Sequence, residues 1–130
     1  MRGIAASSIA LLLFCSVPVL GSTVPERTQS RAPRMVVTGV ASYYGNGFRG
    51  KATASGERYD PEKLTAAHRS YPLGTRVRVT NLKNGRSAVV RINDRGPYKA
   101  GRKIDLSVRA ARELRLIAEG ITIVTIQVIG

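Results

Sequence analysis

Two alternating segments joined by a turn dipeptide constrain the fold of this chain more than any other feature. Residues 76–80 alternate polar and apolar side chains, and residues 87–92 do the same. Such alternation is typical of β-strands that bury one face. Asn84 and Gly85 lie between the segments, and this dipeptide favours the left-handed backbone of tight hairpin turns. The pattern therefore predicts an antiparallel hairpin, and with it a fold built on a β-sheet.

The rest of the folded region supplies further short strands and one helix. Residues 36–44 are rich in β-formers, and residues 104–106 form a shorter strand. Residues 121–129 are apolar on both faces near their start, so we expect this strand to lie centrally. Ser107 is placed to cap a helix that runs to about Ala118. Its predicted apolar face consists of Val108, Ala111, Leu114 and Ile117. About six strands and one helix indicate a mainly β protein, built as a small closed barrel.

The N-terminal segment is predicted to be a leader and a tether. Arg2 precedes a mostly apolar run over residues 9–20, which is too short to span a bilayer comfortably, and small residues follow. This pattern predicts a signal peptide over residues 1–21 and therefore an exported protein of the periplasm or cell envelope. Residues 22–34 hold two prolines and three arginines, which is typical of a flexible basic tether. The barrel domain is expected over residues 35–130.

Cys15 is the only cysteine, and its setting bears on membrane anchoring. A lipoprotein anchor at Cys15 is disfavoured, because Phe14 is bulky where such signals carry a small residue. An uncleaved N-terminal anchor is the alternative to cleavage. If the leader is removed, the mature chain has no thiol chemistry and no disulfide. His68 is the only histidine, so no metal cluster is expected, and we predict no cofactor.

The charge balance is strongly basic, with a formal net charge of +13. Such a balance first suggests nucleic-acid binding. The export signal argues against it, so we expect no nucleic-acid partner and no stable membrane span in the mature form. Outside the cytoplasm, the anionic partners are stem-peptide carboxylates, acidic wall polymers and lipid headgroups. A merely solvated basic face is the alternative.

Three carboxylates lie in glycine-rich or strand-end settings that suit chemistry, namely Glu57, Asp94 and Asp105. Two carboxylates facing one cleft are the basic requirement for cleaving a glycosidic bond. Asp105 lies just before Ser107 at the predicted helix start, a position more typical of a cap or loop anchor. No nucleophile-elbow pattern supports Ser-His-Asp hydrolysis.

Seven short segments, taken in their order and spacing, resemble a known family. They are Gly39–Gly45 (GVASYYG), Thr53–Glu57 (TASGE), Leu64–His68 (LTAAH), Arg76–Asn81 (RVRVTN), Asn84–Ser87 (NGRS), Asn93–Pro97 (NDRGP) and Ile104–Ser107 (IDLS). Each is weak alone, but together they cover most of the folded region and closely resemble the rare lipoprotein A family of septal-ring lytic transglycosylases. The resemblance implies a six-stranded double-psi β-barrel with one short helix.

The resemblance also implies an activity. It implies an endolytic lytic transglycosylase that cleaves peptidoglycan glycan strands and leaves 1,6-anhydro ends, in cell-wall remodelling or division. We expect the protein to be a monomer. It implies an acidic pair of Glu57 and Asp94, with His68 in the same cleft. Asp94 is expected to act as general acid and base, and Glu57 to orient substrate or stabilise positive charge. The candidate substrate contacts are Tyr44, Asn93, Arg95 and Tyr98.

Two functions of a different class compete with the enzyme. The first is a non-catalytic, expansin-like module that binds glycan or loosens the wall. Because the barrel is shared, the fold does not separate it from an enzyme. The second is a secreted inhibitor or partner-binding barrel, for which the sequence offers no positive feature. The presence of both Glu57 and Asp94 favours the enzyme.

Overall fold

Six strands close on themselves in the order β1-β5-β2-β4-β3-β6 in a computed structural model, which describes residues 35–130. The strands are β1 (Val36–Tyr43), β2 (Thr65–Ala67), β3 (Arg76–Asn81), β4 (Ser87–Asp94), β5 (Arg102–Leu106) and β6 (Thr122–Val128). Within residues 35–130, one short helix, α1 (Val108–Glu113), follows β5, and a single 3-10 turn covers Asn46–Phe48. The predicted mainly β barrel with one helix is confirmed. The predicted signal peptide and tether lie outside the described residues.

The predicted hairpin is confirmed, and its inward side chains belong to the main core of the barrel. Strands β3 and β4 pair in antiparallel fashion, with Val77 opposite Val90 and Val79 opposite Ala88. All four side chains are buried, as their alternation requires. Burying one valine side chain stabilises the fold by about 1.5–3 kcal/mol, so this pair of strands anchors the core. In the turn only Gly85 takes a left-handed backbone, at φ 74°.

The last strand has a neighbour on each side, as every strand of a closed barrel does. Strand β6 lies between β1 and β3 and pairs with both in antiparallel fashion. Its inward residues Val124 and Ile126 are fully buried, whereas Ile123 on the outer face is 52% exposed. Among residues 35–130, no helix has the length and apolar character needed to cross a bilayer.

The helix begins as predicted but ends earlier. The Ser107 hydroxyl accepts a hydrogen bond from the amide of Ala110, which is an N-cap. The helix ends at Glu113, because Arg115 takes the left-handed region at φ 54° and redirects the chain. The buried residues of this region are Ala110, Ala111, Leu114 and Leu116. The prediction that Ile117 belongs to the buried face is wrong, since the turn at Arg115 brings Leu116 inward instead.

Candidate functional site

A β-bulge at the end of β4 determines where Asp94 points. Along the parallel pair of β2 and β4, Ala66 lies opposite Ile92 but Ala67 lies opposite Asp94. Asn93 is therefore an extra residue on β4, and such a bulge re-aims the side chain that follows it. Ile92 and Ala66 point into the main core, whereas Ala67 packs in a separate cluster with tyrosines outside the barrel. The bulge thus puts Asp94 on this outer face.

A second carboxylate lies in the same row across the sheet. On the other side of β2, Ala67 is paired with Asp105 of β5, and Asp105 is paired with Ser42 of β1. The row Ser42–Asp105–Ala67–Asp94 therefore crosses four strands. The Cα atoms of Asp94 and Asp105 are two strand spacings apart, roughly 9.5 Å. The carboxyl groups that act together on a glycosidic bond normally lie ~5–9.5 Å apart, and the backbone spacing of this row is at the upper end of that range.

Both carboxylates line one open groove with a volume of about 500 Å³. Four aromatic side chains form its walls, namely Tyr43, Tyr44, Phe48 and Tyr98, and Arg95, Lys99 and Arg102 add positive charge at its edge. Tyr98 is 75% exposed and Phe48 is 46% exposed, so their rings face solvent. A concave site with aromatic walls and a few convergent polar groups is the usual form of a small-molecule or saccharide site.

Asp94 is fixed by three donors. The Tyr44 hydroxyl donates to Oδ2 at 2.9 Å, and the backbone amides of Ala54 and Arg95 donate to Oδ1 at 2.9 and 2.8 Å. Burial raises the pKa of Tyr44 well above its ordinary value of 10, and the hydrogen bond and negative charge of Asp94 raise it further. Tyr44 therefore stays protonated and keeps its hydroxyl hydrogen directed at the Asp94 carboxylate.

Asp105 belongs to the groove and not to the helix cap. Its carboxylate accepts a hydrogen bond from the Ser42 hydroxyl, and Ser107 alone supplies the cap. Its negative charge also contributes to the raised pKa of Tyr44, so both carboxylates act electrostatically on one phenol. Sequence reasoning had set Asp105 aside. The signal that identifies it is its place opposite Ala67 in the strand register.

Glu57 is held in an ion pair beside this groove. Its oxygens accept from the Arg91 guanidinium at 2.5 and 3.1 Å, and the Asn93 side-chain amide donates to Oε1 at 3.1 Å. The Arg91 hydrogen bond is the main cause that lowers the pKa of Glu57 to about 2. Glu57 is therefore ionised at neutral pH. Within the described part of the chain, the residues lining the groove include Asp94 and Asp105 but not Glu57.

The remaining predicted site residues divide between the groove and its surroundings. Tyr44, Arg95 and Tyr98 line the groove beside Asp94. Asn93 is only 3% exposed, and its amide group faces Glu57. Asn93 is the extra residue of the bulge, and the loop around Ser55 packs over it. The backbone amide of Ser55 donates a hydrogen bond to the Asn93 carbonyl.

His68 faces a neighbouring recess, with its ring in one defined protonation state. Its Nδ1 accepts from the amides of Ser70 and Tyr71 at 3.2 and 3.1 Å, and its ring stacks on Tyr71 at 3.8 Å. Burial lowers the pKa of His68 below its ordinary 6.5, and the charges of Arg95, Lys103 and Arg69 lower it further. The ring is therefore neutral at pH 7, with its proton on Nε2.

The backbone at His68 supports the acidic site. Its amide donates to the carbonyl of Asp94 at 3.1 Å. The carbonyls of His68 and Tyr71 accept from the Arg95 guanidinium at 3.1 and 2.7 Å. The segment 68–71 thus holds both Asp94 and the residue that follows it.

Glu57→Gln should remove a pH dependence of stability. Above pH ~4.5 the carboxylate is ionised in both states, so its pairing with Arg91 contributes fully. Between that pH and about 2 the unfolded chain takes up the proton first, so this contribution is lost as the pH falls. Because both side chains are about a third exposed, the contribution should not exceed ~1 kcal/mol.

Urea unfolding from pH 7 to pH 2 checks this. The stability difference between wild type and Glu57→Gln should shrink as the pH falls through this window. Arg91→Gln is the matched control, since it removes the partner and should abolish the same dependence. A difference that stays constant with pH would show that Arg91 does not hold Glu57 ionised.

Comparison with known proteins gives consistent results for sequence and fold. A family model described as "Lytic transglycolase" matches residues 36–126. A protein of Nostoc sp. named "Probable endolytic peptidoglycan transglycosylase RlpA" is 57% identical over 111 residues, which are 84% of this chain and 30% of that protein. An "Endolytic peptidoglycan transglycosylase RlpA" of Pseudomonas aeruginosa is 55% identical over 96 residues, which are 74% of this chain and 28% of that protein. The chain spans less than a third of the length of these relatives.

Two solved structures share the architecture. The Streptomyces papain inhibitor superposes with a TM-score of 0.61 at 25% identity, covering 75% of this chain and 98% of the inhibitor. The apo expansin of Clavibacter michiganensis superposes with a TM-score of 0.58 at 24% identity, covering 74% of this chain and 51% of the expansin. The expansin likeness shows the fold alone.

Proposed function

Because this chain belongs to the RlpA family of double-psi β-barrel lytic transglycosylases, we propose that it cuts peptidoglycan glycan strands in the groove that Asp94 and Asp105 share. The observation that carries the proposal is that two carboxylates, Asp94 and Asp105, lie in one row across the sheet. They line one groove that has exposed aromatic walls. Sugar rings present flat apolar faces to such walls, and a glycosidic bond needs two carboxyl groups of suitable spacing.

The reaction proceeds without water as the nucleophile. A carboxylic acid protonates the oxygen that links N-acetylmuramic acid to N-acetylglucosamine, and the bond from this oxygen to muramoyl C1 breaks. The muramoyl 6-hydroxyl closes onto C1, and a carboxylate accepts its proton. The nucleophile is already part of the sugar, so little entropy is lost in bringing it to C1. The products are one 1,6-anhydro end and one N-acetylglucosamine end.

Asp94 is assigned as the general acid and base. Its Oδ2 lies 2.9 Å from the Tyr44 hydroxyl, which donates to the carboxylate and can accept from the carboxylic acid. The side chain therefore keeps one orientation while it gives up a proton and takes one back. The two amide bonds to Oδ1 fix the other oxygen, which is the kind of preorganisation that acid–base catalysis requires.

Asp105 takes the role that the sequence suggested for Glu57. Its carboxylate shares the groove with Asp94 and is placed to stabilise the positive charge that develops at C1. Glu57 is a positioning residue in this scheme. Its ion pair with Arg91 and its bond to Asn93 hold the bulge that turns Asp94 into the groove. His68 is likewise a positioning residue, through the backbone bond to Asp94.

The substrate fixes where the protein works. Peptidoglycan lies outside the cytoplasmic membrane, so the predicted signal peptide and this activity support each other. We propose that the mature domain acts in the periplasm or cell envelope, as a monomer on glycan strands. The positive charge at the groove edge would raise the local concentration of the domain near acidic wall material.

Product analysis is the direct test. Incubation of the mature chain with purified sacculi should release soluble fragments of several lengths, each with a 1,6-anhydromuramoyl end. Mass spectrometry should find these ends and no new reducing ends, because water does not attack C1. New reducing ends would instead show a hydrolase. Binding to sacculi with no release at all would favour the expansin-like module.

A further inference from the structure

The groove meets a second cavity at Gly45, which lines both. This second cavity, called here the Tyr59 recess, has a volume of about 320 Å³. Its other lining residues include Arg49, Tyr59, Glu62, Val108 and Arg112. The proposed reaction assigns no role to this recess.

The boundary between the two cavities is low because position 45 carries no side chain. Among residues 35–130, no atom outside its chain neighbours lies within 4 Å of where a Cβ at Gly45 would stand. The backbone there is extended, at φ −73° and ψ 166°, which any residue adopts. Glycine is therefore not required by the backbone, and its effect is to leave the space above the boundary open.

The aromatic surface of the groove continues into the recess. The ring centroid of Tyr44, in the groove wall, lies 5.4 Å from that of Phe48 and 4.5 Å from that of Tyr59. Tyr59 is only 4% exposed, so it forms the base of the recess. Its hydroxyl accepts a hydrogen bond from the Val108 amide at 3.1 Å, which ties this base to the start of α1. Bonds within the protein therefore hold the recess in shape, which lowers the cost of binding a ligand.

The polar groups around Tyr59 fit a neutral ligand that carries hydroxyl groups. Arg49 and Arg112 supply donors only, whereas the Glu62 carboxylate accepts. Sugar hydroxyls and acetamido groups donate and accept, so they can use both kinds of partner. Glu62 also lies 3.4 Å from the Arg112 guanidinium and offsets part of its charge. An anion would have to compete with that carboxylate, so the lining favours a neutral sugar.

The recess lies beyond the acidic pair along the direction of β1 and β5. Ser42 donates to Asp105, and Gly45 follows three residues later, roughly 10 Å along an extended chain. The Tyr44 amide donates to the Leu106 carbonyl, so the chain still runs beside β5 here. This distance exceeds the span of one sugar ring. A ring in the recess would therefore be a separate unit of the strand held at the acidic pair.

We propose that the Tyr59 recess is a remote subsite that binds a neutral N-acetylglucosamine unit of the glycan strand whose scissile bond lies at Asp94 and Asp105. The inference rests on the proposed function and extends it to the choice of substrate. Binding energy from a sugar far from the reacting bond favours long strands over short fragments. The recess thereby directs cutting away from the end of a strand.

Saccharide binding to the Asp94→Asn protein tests this, since the variant is chosen so that cutting does not consume the probe. The probes are a disaccharide and an octasaccharide of alternating N-acetylglucosamine and N-acetylmuramic acid without peptide. In backbone amide NMR, the octasaccharide should shift Glu62 and Val108 in a saturable way. It should bind about tenfold tighter than the disaccharide, the gain expected from one or two additional hydrogen bonds.

Gly45→Leu, added to this protein, should remove most of the gain with length, because its side chain would fill the open boundary. The ratio of the two dissociation constants should fall below about threefold. Gly47→Leu is the matched control. It lies in the same 3-10 turn, its Cβ would also meet open space, and it lines neither cavity. It should keep the tenfold ratio.

Arg49→Ala is a second variant that leaves the boundary at Gly45 unchanged. It removes a donor from the recess, so it should weaken octasaccharide binding by about threefold or more. Arg78→Ala removes an exposed arginine of β3 that lines neither cavity, and should leave the affinity within about twofold.

Three results would overturn the proposal. The first is that saturating octasaccharide leaves the amides of Glu62 and Val108 unshifted. The second is that Gly47→Leu loses as much of the length gain as Gly45→Leu, or that Gly45→Leu and Arg49→Ala lose none. The third is that muramoyl dipeptide binds at these amides more tightly than the octasaccharide, which would show a site for acidic peptide.

The subsite and the proposed reaction fail separately. Octasaccharide binding at the recess of a protein whose wild type releases no anhydro ends would refute the reaction while supporting the glycan subsite. Release of anhydro ends with no shift at Glu62 and Val108 would do the reverse.

Discussion

Asp94→Asn is expected to reduce the release of anhydro-ended fragments by at least ~10²-fold, the low end of what a positioned acid or base contributes. The substitution keeps the shape of the side chain, and its remaining oxygen can still accept from the amides of Ala54 and Arg95. It removes the titrating proton that the mechanism needs. Chromatography and mass spectrometry of fragments released from sacculi measure the effect.

The control separates chemistry from binding. Glu119→Gln neutralises one surface carboxylate that pairs with Lys83 away from the groove, and it should release fragments at the wild-type rate. Sedimentation of Asp94→Asn with sacculi should match wild type, because binding depends on the groove walls and the positive edge. If Asp94→Asn releases fragments as fast as wild type, Asp94 is not the acid and base.

Asp105→Asn is the second large effect, with an expected loss of ~10²-fold in fragment release, comparable to the loss of a positioned electrostatic group. Its carboxylate would no longer stabilise the positive charge at C1. The Ser42 hydroxyl can still donate to the remaining oxygen, so the sheet should be retained. Measured under the same conditions, Glu57→Gln should lose less than ~10-fold, because its carboxylate is committed to Arg91.

The order of these two effects decides which carboxylate partners Asp94. Circular dichroism and thermal unfolding should first show that both variants are folded. A larger loss for Glu57→Gln than for Asp105→Asn would contradict the assignment from the groove and would restore the pair suggested by sequence alone. Ser42→Ala gives a milder test, since it removes only the hydroxyl that orients Asp105.

Short sequence patterns predicted the features of the fold that depend on neighbouring residues. The alternation of β3 and β4 fixes which valines point inward, and Ser107 caps the helix as its side chain favours. The left-handed Arg115 has no such signal, because arginine adopts this backbone only when its surroundings require it. The early end of the helix therefore did not follow from the spacing of apolar residues.

The candidate site was predicted only in part, because its geometry depends on register between distant strands. The motifs placed Asp94, Tyr44, Arg95 and Tyr98 near one another, and all four line the groove. Strand β2 has three residues, too few for an alternation pattern, yet its pairing decides which residues share a row. The sequence likewise contains no pattern that predicts the bulge next to Asp94.

The surroundings of Glu57 and Asp105 show the same limit of sequence patterns. Glycine-rich loops usually present functional side chains, so Glu57 was a reasonable candidate. Its partner Arg91 lies 34 positions away on β4, and this sequence separation does not predict a bidentate ion pair. Asp105 precedes a helix, which made it resemble a cap. Its pairing with Ala67 is visible only in the three-dimensional structure.

The row of Ser42, Asp105, Ala67 and Asp94 also bears on when the protein becomes active during folding. Its members come from four strands, and the pairs of β1 with β5 and β2 with β4 are parallel and join distant segments. Pairings of this kind form slowly, since the chain must close long loops first. On the proposed mechanism, a partly folded chain carries no assembled acidic pair. The activity then appears only when the barrel closes. An incompletely folded chain would therefore not cleave the glycan strands of the wall.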